Sequence, residues 1–179
     1  MCTHRLCGRS NRREISMAIE LDVKVRLPIR LERLVIEIDQ SIRELIDEEA
    51  EGVSASGNSD LARVGSRAVI RWGSEASVSV LSTCIGSEEQ FGEDGGVWAC
   101  FSAGTRTSGS VWLVCLAAWQ AARVSGGYVV DEVELLCVRR ISDPDEFEGD
   151  LRRRIGGARG FSAAADRFRF WDVDQPEGS

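Results

Sequence analysis

Residues 108–136 read SGSVWLVCLAAWQAARVSGGYVVDEVELL, and the reading of this stretch decides the fold. Val111 to Ala122 is apolar nearly all round, with Gln120 as its polar member. A bilayer crossing needs ~20 such residues, so the block is too short for one and is expected as a helix buried on every side. Thr107 or Ser108 is positioned to cap its start by accepting a backbone N–H, and Gly126-Gly127 to end it in a left-handed turn. Trp112 and Trp119 stand seven apart on one face, with Cys115 one turn from the first, a spacing that suits core packing better than a cofactor box. Tyr128-Val129-Val130 then reads as a buried strand whose end presents Asp131 and Glu132. Leu135 to Val138 extends or repeats the sheet.

A helix of that kind needs partners on both sides, and the flanking text supplies them. Ile19, Leu21, Val23, Val25 and Leu27 alternate with charged residues, the period of a half-buried strand, which Pro28 ends. Leu31, Leu34, Val35, Ile38, Ile42, Leu45 and Ile46 fall at three- and four-residue spacing, predicting an amphipathic helix that runs from Leu31 toward Ala50. Gly52 to Asp60, GVSASGNSD, reads as a flexible connection without the spacing of a phosphate cradle. Ala68–Trp72 and Ala76–Ile85 predict a hairpin turning at Gly73-Ser74, and Val97–Gly104 a further apolar strand. Ser142 or Asp143 followed by Pro144 starts a short helix with acids in its first turn and Arg152, Arg153 and Arg154 in its last, charges that match the helix dipole. Phe161, Phe168, Phe170 and Trp171 are expected to pin the C-terminal segment to the body, with Gln175 to Ser179 fraying.

This order predicts an α+β fold: a two-layer sandwich in which a mostly antiparallel sheet of five or six strands carries two main helices on one face, plus a short C-terminal helix. At 179 residues the chain suits one domain, over residues 17–174, able to bury roughly 70% of its unfolded surface. No internal repeat is visible.

Charge is unevenly spread. The formal net charge is −7, yet the first sixteen residues carry Arg5, Arg9, Arg12 and Arg13 against Glu14, which leaves −10 for Met17 onward. That leader lacks the apolar run of a secretory signal, so a cytoplasmic location is expected. It is read as disordered, or as an over-extended gene start ahead of Met17, since the codons for Arg12-Arg13-Glu14 can spell a ribosome-binding tract. Cys84, Cys100, Cys115 and Cys137 sit singly in apolar segments with no CxxC pair, as expected of reduced, buried thiols. Cys2, His4 and Cys7 in CTHRLC fall short of the four ligands of a closed zinc site, so no metal and no cofactor are expected.

From Met17 on there is no histidine, which removes the usual general base and the Ser-His-Asp and Cys-His arrangements. Carboxylate catalysis stays open, with Asp131 and Glu132, or Glu88 and Glu93, as its candidates. The acids of GSEEQFGEDGG, Glu88, Glu89, Glu93 and Asp94, do not keep calcium-loop spacing and read as a solvated acidic turn. Asp47, Glu48, Glu49 and Glu51 crowd a helix C-terminus, where the dipole disfavours them, and so form a second candidate contact surface. Arginines concentrate in the last quarter beside Phe161, Phe168 and Phe170, but acids surround them and the acidic body opposes a polyanion, so no nucleic acid and no membrane are expected as partners.

The layout RTSGSVWLVCLAAWQAARVSGGYVVDE, an apolar helix, Gly-Gly, a short buried strand and Asp131, resembles small bacterial immunity proteins of polymorphic or contact-dependent toxin systems and their relatives, over residues 105–132. The resemblance implies a cytosolic, non-enzymatic α+β domain that neutralises a cognate toxin by covering its active surface. The binding surface would then be acidic, made by Asp47, Glu48, Glu49 and Glu51, by Glu88, Glu89, Glu93 and Asp94, and by Asp131, and would face a basic toxin. The alternatives are a small carboxylate-dependent enzyme using Asp131, and a homodimer or larger homo-oligomer whose interface completes the burial of residues 108–125.

Overall fold

The computed structural model describes residues 19–47, 52–85, 96–105, 107–132, 135–136 and 141–171. The first alternating run is β1, Glu20–Val25, which turns Leu21, Val23 and Val25 into the core and Glu20, Asp22 and Lys24 to the opposite side. The other strands are β2 (Val53–Gly57), β3 (Arg67–Trp72), β4 (Ala76–Ile85), β5 (Gly96–Ala103), β6 (Tyr128–Val130) and β7 (Ile141–Ser142). They form one seven-stranded sheet in the order β2-β3-β4-β5-β1-β6-β7, antiparallel at every step.

Seven strands exceed the expected five or six, and the reason lies at the edges. The stretch expected as a flexible connection from Gly52 contains β2, which pairs with β3 from Val53↔Trp72 to Gly57↔Ala68. Its serines, alanine and glycine carry little strand preference of their own, so the ladder with β3 imposes the extended state. Gly57 permits the close approach: it sits at φ 129°, and a Cβ there would run into the carbonyl oxygen of Arg67. At the other edge β7 follows Leu135 and Leu136, which form a turn.

The helices are α1 (Leu31–Ile46), α2 (Ser108–Ser125), α3 (Pro144–Ile155) and α4 (Phe161–Ala165), the last running into a 3₁₀ turn, Asp166–Trp171. All pack on the face that Leu21, Val23 and Val25 present. Every residue of α2 from Gly109 to Ala122 is buried, packed against β1, β4, β5 and β6 and against α1, α3 and α4. One chain completes this burial without a partner. Thr107 Oγ1 caps α2 by accepting the N–H of Ser110 at 3.2 Å, and Gly126 ends it at φ 64°. Gln120, its polar member, donates from Nε2 to Ser41 Oγ of α1 at 2.6 Å, while Ser41 Oγ donates to the Glu37 carbonyl at 2.8 Å.

Phe161 and Phe168 pin the C-terminal segment as expected, while the side chains of Phe170 and Trp171 lie outside what the structure describes. Asp143 and Glu146 close a capping box around Pro144. Phe161 stacks on Trp72 with centroids 4.5 Å apart, and Phe168 packs on Trp112 at 5.6 Å. The arginines of α3 are engaged locally: Arg152 with Glu148 at 2.7 Å, Arg153 with Asp150 at 2.9 Å, and Arg154 Nε with the Arg167 carbonyl at 3.0 Å. Among the described residues no helix is long and apolar enough to cross a membrane.

Candidate functional site

Helices pack on one side of the sheet, and β1, next to the central strand β5, carries a row of charged residues on the other. Its outward residues are Glu20, Asp22 and Lys24, followed by Arg26 just past the strand, so two acids give way to two bases along one line. Register decides what stands beside each. Glu20 lies opposite Ser102, Asp22 between Cys100 and Val130, and Lys24 between Trp98 and Tyr128.

At the acidic end, Ser102 Oγ donates to Glu20 Oε1 at 3.1 Å, and Cys100 Sγ lies 3.7 Å from Ser102 Oγ. Burial pushes the Asp22 carboxyl above the usual 3.8; a hydrogen bond with the Cys100 thiol lowers it, and the charges of Glu20 and Glu132 raise it again. The Cys100 thiol is pushed up to about 12, by burial first and then by the Asp22 charge, so it stays protonated and is no nucleophile at neutral pH. At the basic end, Lys24 Nζ sits 5.2 Å from the Trp98 ring centroid and Arg26 Cζ 5.9 Å from that of Tyr128. The two rings meet edge to face at 5.9 Å and 83°. Trp98 is only 3% exposed, so its ring serves as a floor for the cation rather than as an open stacking platform.

The residues singled out from sequence fall elsewhere. Asp131 follows β6 and is 3% exposed; its Oδ1 accepts the N–H of Leu135 at 2.9 Å and its Oδ2 that of Leu136 at 3.0 Å. Both oxygens thus help to shape the turn. Asp47 is exposed and ends α1 in the left-handed conformation at φ 52°, its N–H donating to the Arg43 carbonyl at 3.1 Å. The helix therefore stops at Ile46, short of the Ala50 that periodicity suggested. Asp47 caps the end of α1 and Asp131 the turn after β6, and no hydrogen bond or ion pair among those described joins them. Glu48, Glu49, Glu51, Glu88, Glu89, Glu93 and Asp94 lie outside the described residues, as do Cys2, His4 and Cys7. Among the described residues no group of three or more His, Cys, Asp or Glu is arranged to hold a metal ion.

The sequence carried one signal for the sheet face, the Glu-x-Asp-x-Lys-x-Arg alternation of residues 20–26. Which residues flank it depends on pairing with β5 and β6, far away in the chain. Comparison with protein-family models, with curated proteins and with solved structures finds no match.

Proposed function

We propose that this chain is a non-enzymatic cytosolic binding protein, an immunity-type inhibitor that neutralises a cognate basic toxin by covering its active surface. Glu20, Asp22 and Glu132, on and beside the side of the sheet opposite the helices, form the described part of the contact. One observation carries this reading: Glu20 and Asp22 stand in line on one side of β1, with Glu132 near enough for its charge to act on the Asp22 carboxyl. A group of acids of this kind would attract a cation brought by a partner, which also speeds encounter.

The test is to express the basic products of the genes that flank this one and to titrate each by calorimetry against the wild type and the Glu20→Gln/Asp22→Asn/Glu132→Gln variant. The expected result is an affinity that falls with salt and is at least about tenfold weaker in the variant. Equal affinity would remove this face from the contact. Turnover of a small molecule that disappears when one carboxylate is amidated would replace the binding reading with an enzymatic one.

A further inference from the structure

On the side opposite the helices, strand pairing arranges side chains in lines that run across the sheet. One line joins Arg67 of β3, Leu81 of β4, Cys100 of β5 and Asp22 of β1, each paired with the next. The line beside it joins Val69, Ser79, Ser102 and Glu20, and beyond that stand Arg71 and Ser77. Alternation turns all of these away from the core, since Ala68, Ile70, Val80, Phe101 and Leu21 between them are buried.

This part of the face is open. Glu20, Arg67, Arg71 and Ser79 are exposed, and Leu81 is 39% exposed at its centre. Trp98, on the line past Asp22, is buried and bounds the area. Arg67 and Arg71 enter no ion pair among the described residues, and Arg71 Nη1 donates to Ser56 Oγ at 3.3 Å. Bases therefore stand on β3 and acids on β1, three strand steps or about 14 Å apart, with an open, mostly small-residue strip between them.

We propose that this face is the interface of a homodimer in which Arg67 and Arg71 of each copy lie over Asp22 and Glu20 of the other. The two-fold axis runs along the strands, midway between β4 and β5. Rotation about it lays β3 of one copy over β1 of the other, and β4 over β5, without changing height along the strands. The first line is then laid reversed upon itself: Arg67 meets Asp22 of the partner subunit, and Leu81 meets Cys100 of the partner subunit. On the second line Glu20 of the partner subunit meets Val69, which places it between Arg67 and Arg71. Each contact is made twice, as an isologous interface requires. Charge complementarity selects a second copy as the occupant. The net charge of −7 makes copies repel in most orientations, whereas in this one each base faces an acid and like charges of the two copies stay about 14 Å apart. Sheets stacked about 10 Å apart accommodate arginine over a carboxylate, and Ser79, Ser102 and Cys100 keep the centre low enough for that approach. Glu20 and Asp22 are also the acids assigned above to a basic partner, which would compete with the dimer; the dimer does not rest on that assignment, and the chain alone tests it.

Sedimentation velocity and light scattering of the full chain from about 1 µM to a few hundred µM cover the range in which a small polar interface associates. Glu20→Arg sets like charge against the partner's Arg67 and Arg71, and Arg67→Glu/Arg71→Glu does so against the partner's Glu20 and Asp22. All three positions are exposed, and circular dichroism matching the wild type shows that each variant is folded. Mixed in equal amounts, the two variants set opposite charges together at both contacts, although each stays net negative. Arg123→Glu/Arg159→Glu makes the same change in net charge at exposed positions of the helical segments. The expected result is a wild-type dimer that each face variant weakens at least about tenfold, that the mixture restores to within about threefold, and that Arg123→Glu/Arg159→Glu leaves within about threefold. A wild type monomeric throughout, a mixture no tighter than its separate components, or equal weakening by Arg123→Glu/Arg159→Glu overturns the proposal.

Discussion

Replacing Asp131 with Asn separates a turn-forming carboxylate from a functional one. The Asp131 carboxylate, 3% exposed, accepts two backbone N–H groups at 2.9 and 3.0 Å, and both donors belong to buried residues, Leu135 and Leu136. Asn keeps one acceptor oxygen and turns an NH₂ toward the other N–H. A buried donor left without an acceptor costs about 1–3 kcal/mol, and the remaining bond loses its charge assistance, worth a further ~1 kcal/mol. The expected penalty for Asp131→Asn is thus about 2–4 kcal/mol, and Asp131→Ala, which orphans both donors, costs more. Urea unfolding followed by the fluorescence of the five tryptophans reads this as a fall in midpoint at constant slope. A midpoint within error of the wild type would refute the reasoning, because it would mean that the turn stands without the carboxylate.

Three further outcomes follow from the same geometry. Asp47→Gly is expected to raise stability by about 0.5–1 kcal/mol, since Asp47 holds φ 52° and its acid sits at the negative end of the α1 dipole; a thermal scan showing a lower melting point would count against it. Gly127→Ala is expected to cost about 3 kcal/mol or more, because its Cβ would land on the Lys24 carbonyl oxygen of β1; expression of a stable, unshifted variant would count against that contact. Asp22, with its folded pKa above 3.8, favours the native state when protonated, so its contribution is full below pH 3.8 and is lost as pH rises through the folded value. Asp22→Asn, which does not ionise, should therefore gain stability relative to the wild type between acid and neutral pH, and a difference that does not change with pH would contradict it.

Much of this architecture was legible from local pattern. The fully apolar α2, the Thr107 and Gly126 caps, the Gly73-Ser74 hairpin and the Asp143–Pro144 start each combine a periodicity with a residue whose backbone chemistry has few alternatives. What escaped depends on pairing across the chain. β2 looks like a linker because serine, alanine and glycine do not mark a strand, and only the β3 ladder makes it one. The end of α1 escaped because acids continue past Ile46 without a glycine, while Asp47 itself takes the left-handed turn. The sheet-face row escaped in part: the alternation of Glu20, Asp22 and Lys24 is local, but their neighbours Ser102, Cys100 and Trp98 are chosen by register with β5.

That register is itself fixed from the core side. A slip of one residue in β1 would turn Leu21, Val23 and Val25 away from the helices and Asp22 toward them, so burial locks the strand whatever its outer residues are. The charges on the face opposite the helices are consequently not needed to specify the fold, and the one at Asp22 works against it. A group of this kind should show opposite signs in two measurements, with neutralisation strengthening the fold at neutral pH and weakening attachment to a cationic partner. If Asp22→Asn improved both, the strained carboxylate would be a cost of packing beside Cys100 and the contact surface would have to be sought elsewhere.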